Sequence, residues 1–222
     1  MKKLLVVVPM LLLAAWTSLE GRSELTIAQV QYDGGGDWYA NPSGVTNLLA
    51  FIGERTGLPV STQPARVRLT DPGLRSYPYL YLTGHGNVKF SEAEVASLRG
   101  YLESGGFLHV DDNYGLDESF RREIARVWPG AELVEVPHDH PIYHIFYDFP
   151  EGLPKIHAHD GNAAQGFGIF HEGRLVVFYS YESDLGNGWE DADVHDNPPA
   201  VRERALRMGL NLFLFSMTQA VT

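Results

Sequence analysis

The chain has 222 residues, of which 44% are hydrophobic and 20% charged, a composition typical of a folded domain with a substantial core. It contains no cysteine, which excludes disulfides, thiolate metal ligands and a cysteine nucleophile. The 17 basic and 28 acidic side chains give a net charge of −11, which argues against binding to nucleic acid or to an anionic lipid surface.

The first residues have the pattern of an export signal. Lys2 and Lys3 precede an apolar run at residues 4–15, which is shorter than the ~20 residues of a membrane-spanning helix. We expect residues 1–21 to be a signal peptide or an uncleaved anchor, and an uncleaved anchor would be the chain's contact with a membrane. The domain at residues 22–222 is then expected in the periplasm or another extracytoplasmic space.

Strand and helix patterns alternate from residue 25 to about residue 136. The clearest helix follows Ser91, which forms a capping box with Glu94, and it ends at Gly105-Gly106. Apolar spacing predicts strands at residues 25–31, 67–69, 79–83, 107–110 and 132–136, and a further helix after Pro42. Another helix is expected after Asp117, whose side chain can cap it. This alternation predicts a three-layer α/β sandwich with a mostly parallel central sheet.

Residues 137–165 interrupt the alternation. They have no sustained period and contain five of the nine histidines. Long irregular segments inside compact domains are often functional, so we expect a histidine-rich insertion within a single domain. After the insertion, residues 168–171 and 174–181 flank Glu172-Gly173 as a hairpin, and an amphipathic helix around residues 201–212 ends the domain.

Polar residues are concentrated in the segments that follow the predicted strands. Ligands of open parallel sheets bind at the carboxyl ends of the strands, so we expect these segments to form one ligand-binding rim. The glycines at 34–36 favour either close approach to a ligand or a tight turn that buries a tryptophan. The candidate ligand-binding residues are Asp33, Gly35, Gly36, Asp37, Trp38, Asp112, His157, His159, Asp184 and Trp189.

Histidines and one aspartate predict a metal site on the same rim. His85 lies between two glycines where a strand leads into a helix, an elbow that directs its side chain into a crevice. Imidazole and carboxylate ligands suit a divalent transition metal such as zinc, copper, nickel or iron. Solvated loop histidines and an aspartate that caps the next turn are the structural alternatives. The predicted metal ligands are His85, His140, Asp111, His138 and His144.

Several motifs taken together resemble domain-of-unknown-function family 4159. They are GGGDWY at 34–39, TGHG at 83–86, GGFLHVDD at 105–112, DHPIY at 139–143 and DLGNGWE at 184–190. The resemblance implies a flavodoxin-like sandwich related to class I glutamine amidotransferases, with His85 in place of their catalytic cysteine. Because histidine supplies no thiolate, the glutaminase reaction does not carry over.

Two functions follow from these residues. The first is an exported metal-binding protein, for which hydrolysis by a metal-activated water is the simplest chemistry. The second is a non-catalytic module that binds a small molecule, a glycan or a protein in the same crevice. The metal, the substrate and the oligomeric state are left open by the sequence.

Overall fold

The computed structural model describes residues 24–159 and 161–218, so the predicted signal segment at residues 1–21 lies outside the described residues. The strands are β1 (Ala28–Gln31), β2 (Ala65–Arg68), β3 (Tyr79–Gly84), β4 (Phe107–Asp112), β5 (Val134–Glu135), β6 (Gln165–His171) and β7 (Arg174–Tyr181). The α-helices are α1 (Gly44–Thr56), α2 (Glu92–Glu103), α3 (Asp117–Val127), α4 (Leu185–Trp189) and α5 (Pro199–Ser216). None of the helices in these ranges is both long and apolar enough to cross a bilayer.

The seven strands form one mostly parallel sheet in the order β2-β1-β3-β4-β7-β6-β5. The pairs β1–β2, β1–β3, β3–β4 and β4–β7 are parallel, whereas β6 runs antiparallel to β7 and to β5. The predicted hairpin is therefore present, and it forms the mixed part of the sheet. The predicted mostly parallel sheet is confirmed.

Alternation along β3 shows how the sheet separates two cores. Tyr79 and Tyr81 belong to the apolar cluster shared with α1, α4 and α5, whereas Leu80 and Leu82 belong to the cluster shared with α2 and α3. Successive side chains of a strand point to opposite faces, so a buried strand must be apolar on both. The result is a helix–sheet–helix sandwich of three layers, as predicted.

Two helix starts test the capping predictions. The Ser91 side chain accepts from the Glu94 N–H, and the Glu94 carboxylate accepts from the Ser91 N–H at 2.8 Å, which confirms the capping box. Asp117 is not the cap of α3, because Leu116 holds that position and Asp117 is the first helical residue. Its carboxylate instead pairs with Arg121 one turn later at 2.7 Å.

The short helix α4 has no counterpart among the predicted elements. It has five residues, two of them glycine, and is too short to show a helical period. It forms because carboxylates satisfy its first N–H groups: Asp184 accepts from Asn187, and Asp111 accepts from Leu185 and Gly186. Tertiary contacts therefore determine this helix.

Candidate functional site

The strand order reverses at β1, which lies between β2 and β3. From β1 the chain passes through α1 to β2 on one side, and it returns to β3 on the other side of β1. The loops that follow β1 and β3 at such a reversal are where open α/β sheets commonly bind ligands. Asp37 and His85 meet here, with His85 Nδ1 3.0 Å from Asp37 Oδ2 and the His85 backbone N–H also donating to Asp37. The His85 side chain is 55% exposed.

Asp111 occupies the interior of the rim, one strand away from the Asp37–His85 pair. Its buried carboxylate accepts four hydrogen bonds, from Tyr81 Oη at 3.2 Å, Ser180 Oγ at 2.6 Å, and the Leu185 and Gly186 N–H groups at 3.1 and 2.7 Å. Burial raises the pKa of Asp111 to about 7. Because four donors already bind the Asp111 carboxylate, the role of Asp111 is to hold the turn from β7 into α4. The predicted role of Asp111 as a metal ligand therefore conflicts with its surroundings.

Below Asp111, His109 is a satisfied core histidine. Its Nδ1 lies 2.8 Å from Tyr79 Oη and its Nε2 lies 2.8 Å from Ser180 Oγ. Burial lowers the pKa of His109 to about 3, so the ring is neutral at physiological pH. Ser180 thus connects His109 to Asp111 through one continuous buried network.

Asp184 is held rigidly at the turn between β7 and α4. It is buried, its φ is +57°, and its carboxylate accepts from the Asn187 N–H at 3.3 Å. The insertion is fixed beside it, because the Ile156 N–H donates to the Ser183 carbonyl at 3.0 Å and Ser183 Oγ donates to the Pro154 carbonyl at 2.6 Å. These bonds bring residues 154–159 against the carboxyl end of β7.

Two histidines of the insertion converge on Asp184. His157 Nδ1 lies 3.5 Å and His159 Nε2 lies 3.4 Å from Asp184 Oδ2, and one donor atom from each of the three residues lies within 4.8 Å of the others. Bonds of 2.0–2.1 Å in a tetrahedral centre separate neighbouring ligand atoms by about 3.4 Å. The trio therefore has the chemistry and the spacing to hold a metal ion. We call His157, His159 and Asp184 the metal cluster.

His159 is the most constrained member of the metal cluster. Its side chain is only 8% exposed, and within residues 24–159 and 161–218 its buried Nε2 makes no contact with hydrogen-bond geometry, although Asp184 Oδ2 lies 3.4 Å away. A buried nitrogen without a partner is costly unless another ligand satisfies it. The contact with the Asp184 carboxylate raises the pKa of His159, and the ring of Tyr114 lies almost parallel to its imidazole, with centroids 5.2 Å apart.

The predicted metal ligands do not come together. The His140 ring packs on Phe215, which itself packs on Phe107, the first residue of β4. Asp111 is the fifth residue of that strand, about 13 Å further along at ~3.3 Å per residue. The insertion therefore carries His140 back towards the amino end of the sheet, away from His85 and Asp111.

His138 and His144 interact within the insertion. His144 Nε2 lies 2.7 Å from the His138 carbonyl oxygen, and His144 Nδ1 lies 2.5 Å from Asp148 Oδ1. Both ring nitrogens of His144 are thus engaged in fixing the loop. In the part of the chain that the structure describes, the group that meets the distance requirement for a metal is the metal cluster, not the five predicted ligands.

The glycine-rich segment packs against a neighbouring loop. The Gly36 N–H donates to the Asn87 carbonyl at 3.0 Å, and a Cβ on Gly36 would lie 2.7 Å from the His85 carbonyl oxygen. A Cβ on Gly35 would meet no atom of the described residues within 4 Å, and the φ of Gly35 is +92°, typical of a turn. The turn interpretation fits this segment better than close approach to a ligand, and Trp38 within it is half-buried.

Three other predicted ligand-binding residues have structural partners. Trp189 is fully buried and donates from Nε1 to the Ala205 carbonyl at 2.9 Å, so it belongs to the core. Asp112 faces the opposite side of the sheet from Asp111 and accepts from the Tyr114 and Leu116 N–H groups at 3.1 and 3.2 Å. Asp33 is exposed and lies 3.5 Å from Arg68. Their local contacts explain these residues without a ligand.

Three residues at this rim were not among the sequence candidates. Glu182 is buried with a φ of +58°, and its carboxylate accepts from Lys155 Nζ at 2.7 Å. Tyr114 stacks on His159 from the loop after β4. A Cβ on Gly115 would lie 3.9 Å from the Gly86 backbone nitrogen, so this loop also reaches the His85 elbow. None of these positions carries a motif or a period that could have identified it.

The sheet topology and the metal cluster at its carboxyl edge define the class of this protein. It is an α/β sandwich protein with a histidine–aspartate cluster able to hold a metal ion. The chain matches the family described as Domain of unknown function (DUF4159) over residues 26–217. It belongs to that family, which confirms the resemblance drawn from its motifs. A search of curated proteins found no match to the chain. The relation to class I glutamine amidotransferases stays a prediction.

Proposed function

We propose that the protein is an exported metal-binding protein that holds one divalent transition metal ion on His157, His159 and Asp184 and uses it for hydrolysis. The observation that carries the proposal is the convergence of two imidazoles on one buried carboxylate oxygen, at 3.5 and 3.4 Å. Buried histidine nitrogens are ordinarily hydrogen-bonded, and a metal ion would satisfy Nε2 of His159.

The composition of the metal cluster favours a site that is open to further ligands. Two histidines and one carboxylate are typical of catalytic zinc sites and of non-haem iron sites, both of which leave positions free for water or substrate. His157 has a side chain that is 53% exposed, so one side of the cluster faces solvent. A zinc ion held by these three residues would lower the pKa of a coordinated water towards about 7.

Residues around the metal cluster support hydrolysis. The Asp37 carboxylate orients the His85 imidazole at the switch point, which leaves Nε2 of His85 available to accept a proton. A Cβ on Gly115 would lie 3.9 Å from the Gly86 backbone nitrogen, so the loop that carries Tyr114 and the loop that carries His85 are neighbours at the carboxyl ends of β4 and β3. Lys155, paired with Glu182, adds a cation that can contact an anionic substrate group.

Metal titration of matched variants tests the metal site. The full chain is expressed and purified without an affinity tag, stripped with a chelator, and titrated with Zn²⁺ by calorimetry. We expect one zinc ion per chain, and a loss of affinity of at least about tenfold in His159→Gln and Asp184→Asn. His140→Gln is the matched control and should bind like the wild type, because His140 lies outside the metal cluster. A wild type that takes up no zinc, copper, nickel or iron would overturn the proposal.

Hydrolysis is tested separately with generic chromogenic esters and phosphoesters. Activity of the zinc-loaded wild type that disappears in the stripped protein and in His159→Gln supports a metal-dependent hydrolase. Stoichiometric metal binding without turnover of any probe contradicts the hydrolase part and leaves the non-catalytic binding module as the function.

A further inference from the structure

Tyr114 has a backbone conformation that is unusual for a large side chain. Its φ is +109°, in the region that favours glycine, and it is followed by Gly115 at +79°. The side chain is 55% exposed, so burial of the ring in the core does not account for the conformation. Strained residues of this kind persist where the surrounding structure enforces them, and they cluster at functional sites.

Hydrogen bonds to a buried carboxylate enforce the strained turn. Asp112 Oδ1 accepts from the Tyr114 N–H at 3.1 Å and from the Leu116 N–H at 3.2 Å. Asp112 ends β4 and is itself buried, so it fixes the turn relative to the sheet. This fixed turn then sets the direction in which the Tyr114 side chain leaves the backbone.

The tyrosine ring is directed onto a member of the metal cluster. Its plane is inclined by 21° to that of the His159 imidazole, with the centroids 5.2 Å apart. His159 Nε2 faces Asp184 Oδ2 at 3.4 Å in this orientation. An imidazole binds a metal in the plane of its ring, so a neighbour that fixes that plane controls the direction of the lone pair.

We infer that Tyr114 is a positioning residue whose strained backbone places its ring against His159 and so holds the His159 imidazole towards Asp184. The inference rests on the proposed metal site for its functional meaning. The strained backbone of Tyr114 lowers the stability of the folded protein. A substitution that relieves the strain and deletes the ring should therefore raise the melting temperature and weaken metal binding.

Replacement by glycine separates this role from a merely structural one. Tyr114→Gly relieves the strain and deletes the ring, so we expect a stripped protein with a higher melting temperature and a zinc affinity about 10–100-fold lower. Tyr114→Phe keeps the ring and should bind zinc like the wild type. Tyr39→Gly is the matched control: Tyr39 is 61% exposed and does not have a positive φ, so its loss should lower stability and leave zinc affinity unchanged.

A second measurement keeps the inference testable without bound metal. In the stripped protein, NMR should show nuclear Overhauser contacts between the ring protons of Tyr114 and His159 in the wild type, because the two rings stack with centroids 5.2 Å apart. The His159 imidazole should hold one orientation in the wild type and average between orientations in Tyr114→Gly. Tyr114→Gly that binds zinc as tightly as the wild type overturns the inference, while loss of binding in His159→Gln still supports the proposed function. If the wild type binds no metal, the proposed function fails, and a His159 imidazole that stays equally ordered in Tyr114→Gly then overturns the inference as well.

Discussion

The backbone N–H of Gly186 donates a 2.7 Å hydrogen bond to Oδ2 of Asp111. Oδ1 of the same carboxylate accepts from the N–H of Leu185 at 3.1 Å. A single buried side chain of β4 therefore fixes the first two residues of α4, and the residue that precedes them is Asp184. The orientation of the metal cluster depends in this way on a carboxylate that does not belong to it.

Asp111→Ala should destabilise the protein and weaken metal binding together. It leaves the donors of Leu185, Gly186 and Tyr81 without acceptors in a dry interior, at a cost of about 3 kcal/mol in the free energy of unfolding. Urea unfolding of the stripped protein measures the loss, and zinc calorimetry measures the effect on Asp184. Asp33→Ala is the control, because Asp33 is exposed and its loss should change stability by less than about 0.5 kcal/mol. Equal stability of the two variants would contradict the assigned role.

The stability of the protein should depend on pH through His109 and Asp111 with opposite signs. Burial lowers the pKa of His109 from 6.5 to about 3, so the unfolded chain binds the extra proton and stability is lost as pH falls through this window. Burial raises the pKa of Asp111 from 3.8 to about 7, so here the folded protein binds the extra proton and stability is lost as pH rises.

Replacing His109 isolates its contribution to the pH dependence of stability from that of Asp111. The free energy of unfolding of the wild type minus that of His109→Gln should increase with pH by up to about 1.4 kcal/mol per pH unit between about pH 4 and 6. Unfolding in urea at several pH values provides the measurement. A difference that is constant across that range would show that His109 is not held neutral by burial.

The fold could be predicted largely because its signals are local. The capping box of Ser91 and Glu94 and the alternation of apolar residues along β3 each depend on neighbours within a few positions. Helix α4 could not be predicted, since its N–H groups are satisfied by Asp111, 74 positions away from Leu185 in the chain. Local patterns do not contain that information.

The site could be predicted only in part for a similar reason. His157 and His159, two positions apart, share a side of an extended segment, and both do reach Asp184. The direction in which the insertion crosses the sheet has no sequence signal, so the prediction places His140 at the rim although it packs on Phe215. Histidine density therefore indicates the segment but not which of its histidines converge.

Metal binding should weaken on acidification, with the transition set by His159. The contact with Asp184 raises the pKa of His159, so the protonated pair stabilises the stripped protein at low pH, and this stabilisation is lost as pH rises through the raised value. Zinc needs the neutral ring, so its affinity should increase over the same range. Calorimetry in buffers of different ionisation enthalpy measures the protons released. Zinc binding to Asp184→Asn should release fewer protons than zinc binding to the wild type. An unchanged number would contradict the pairing of His159 with Asp184.

Export should be visible in the mass of the mature chain. Lys2, Lys3 and the apolar run at residues 4–15 predict delivery across a membrane and removal of residues 1–21. Expression of the full chain in Gram-negative cells, followed by fractionation and mass spectrometry, should find the shortened protein in the periplasm. Lys2→Glu combined with Lys3→Glu should retain it in the cytoplasm, whereas Lys89→Glu, at an exposed lysine of the folded domain, should not. Full-length protein in the cytoplasm of the unmodified strain would contradict export, and full-length protein in the membrane fraction would indicate the uncleaved anchor.

His85 should be needed for hydrolysis but not for metal binding. It lies at the switch point with Asp37, and it is not part of the metal cluster. His85→Gln should therefore bind one zinc ion per chain with wild-type affinity while losing turnover of the ester probes by about 10²-fold, the scale of a general-base contribution. Asp37→Asn removes the carboxylate that orients the ring and should lose turnover in the same direction, and the double variant should be no worse than His85→Gln alone because both act through one group. A fall in zinc stoichiometry in His85→Gln would instead restore His85 as a ligand, and additive losses would show that Asp37 acts independently.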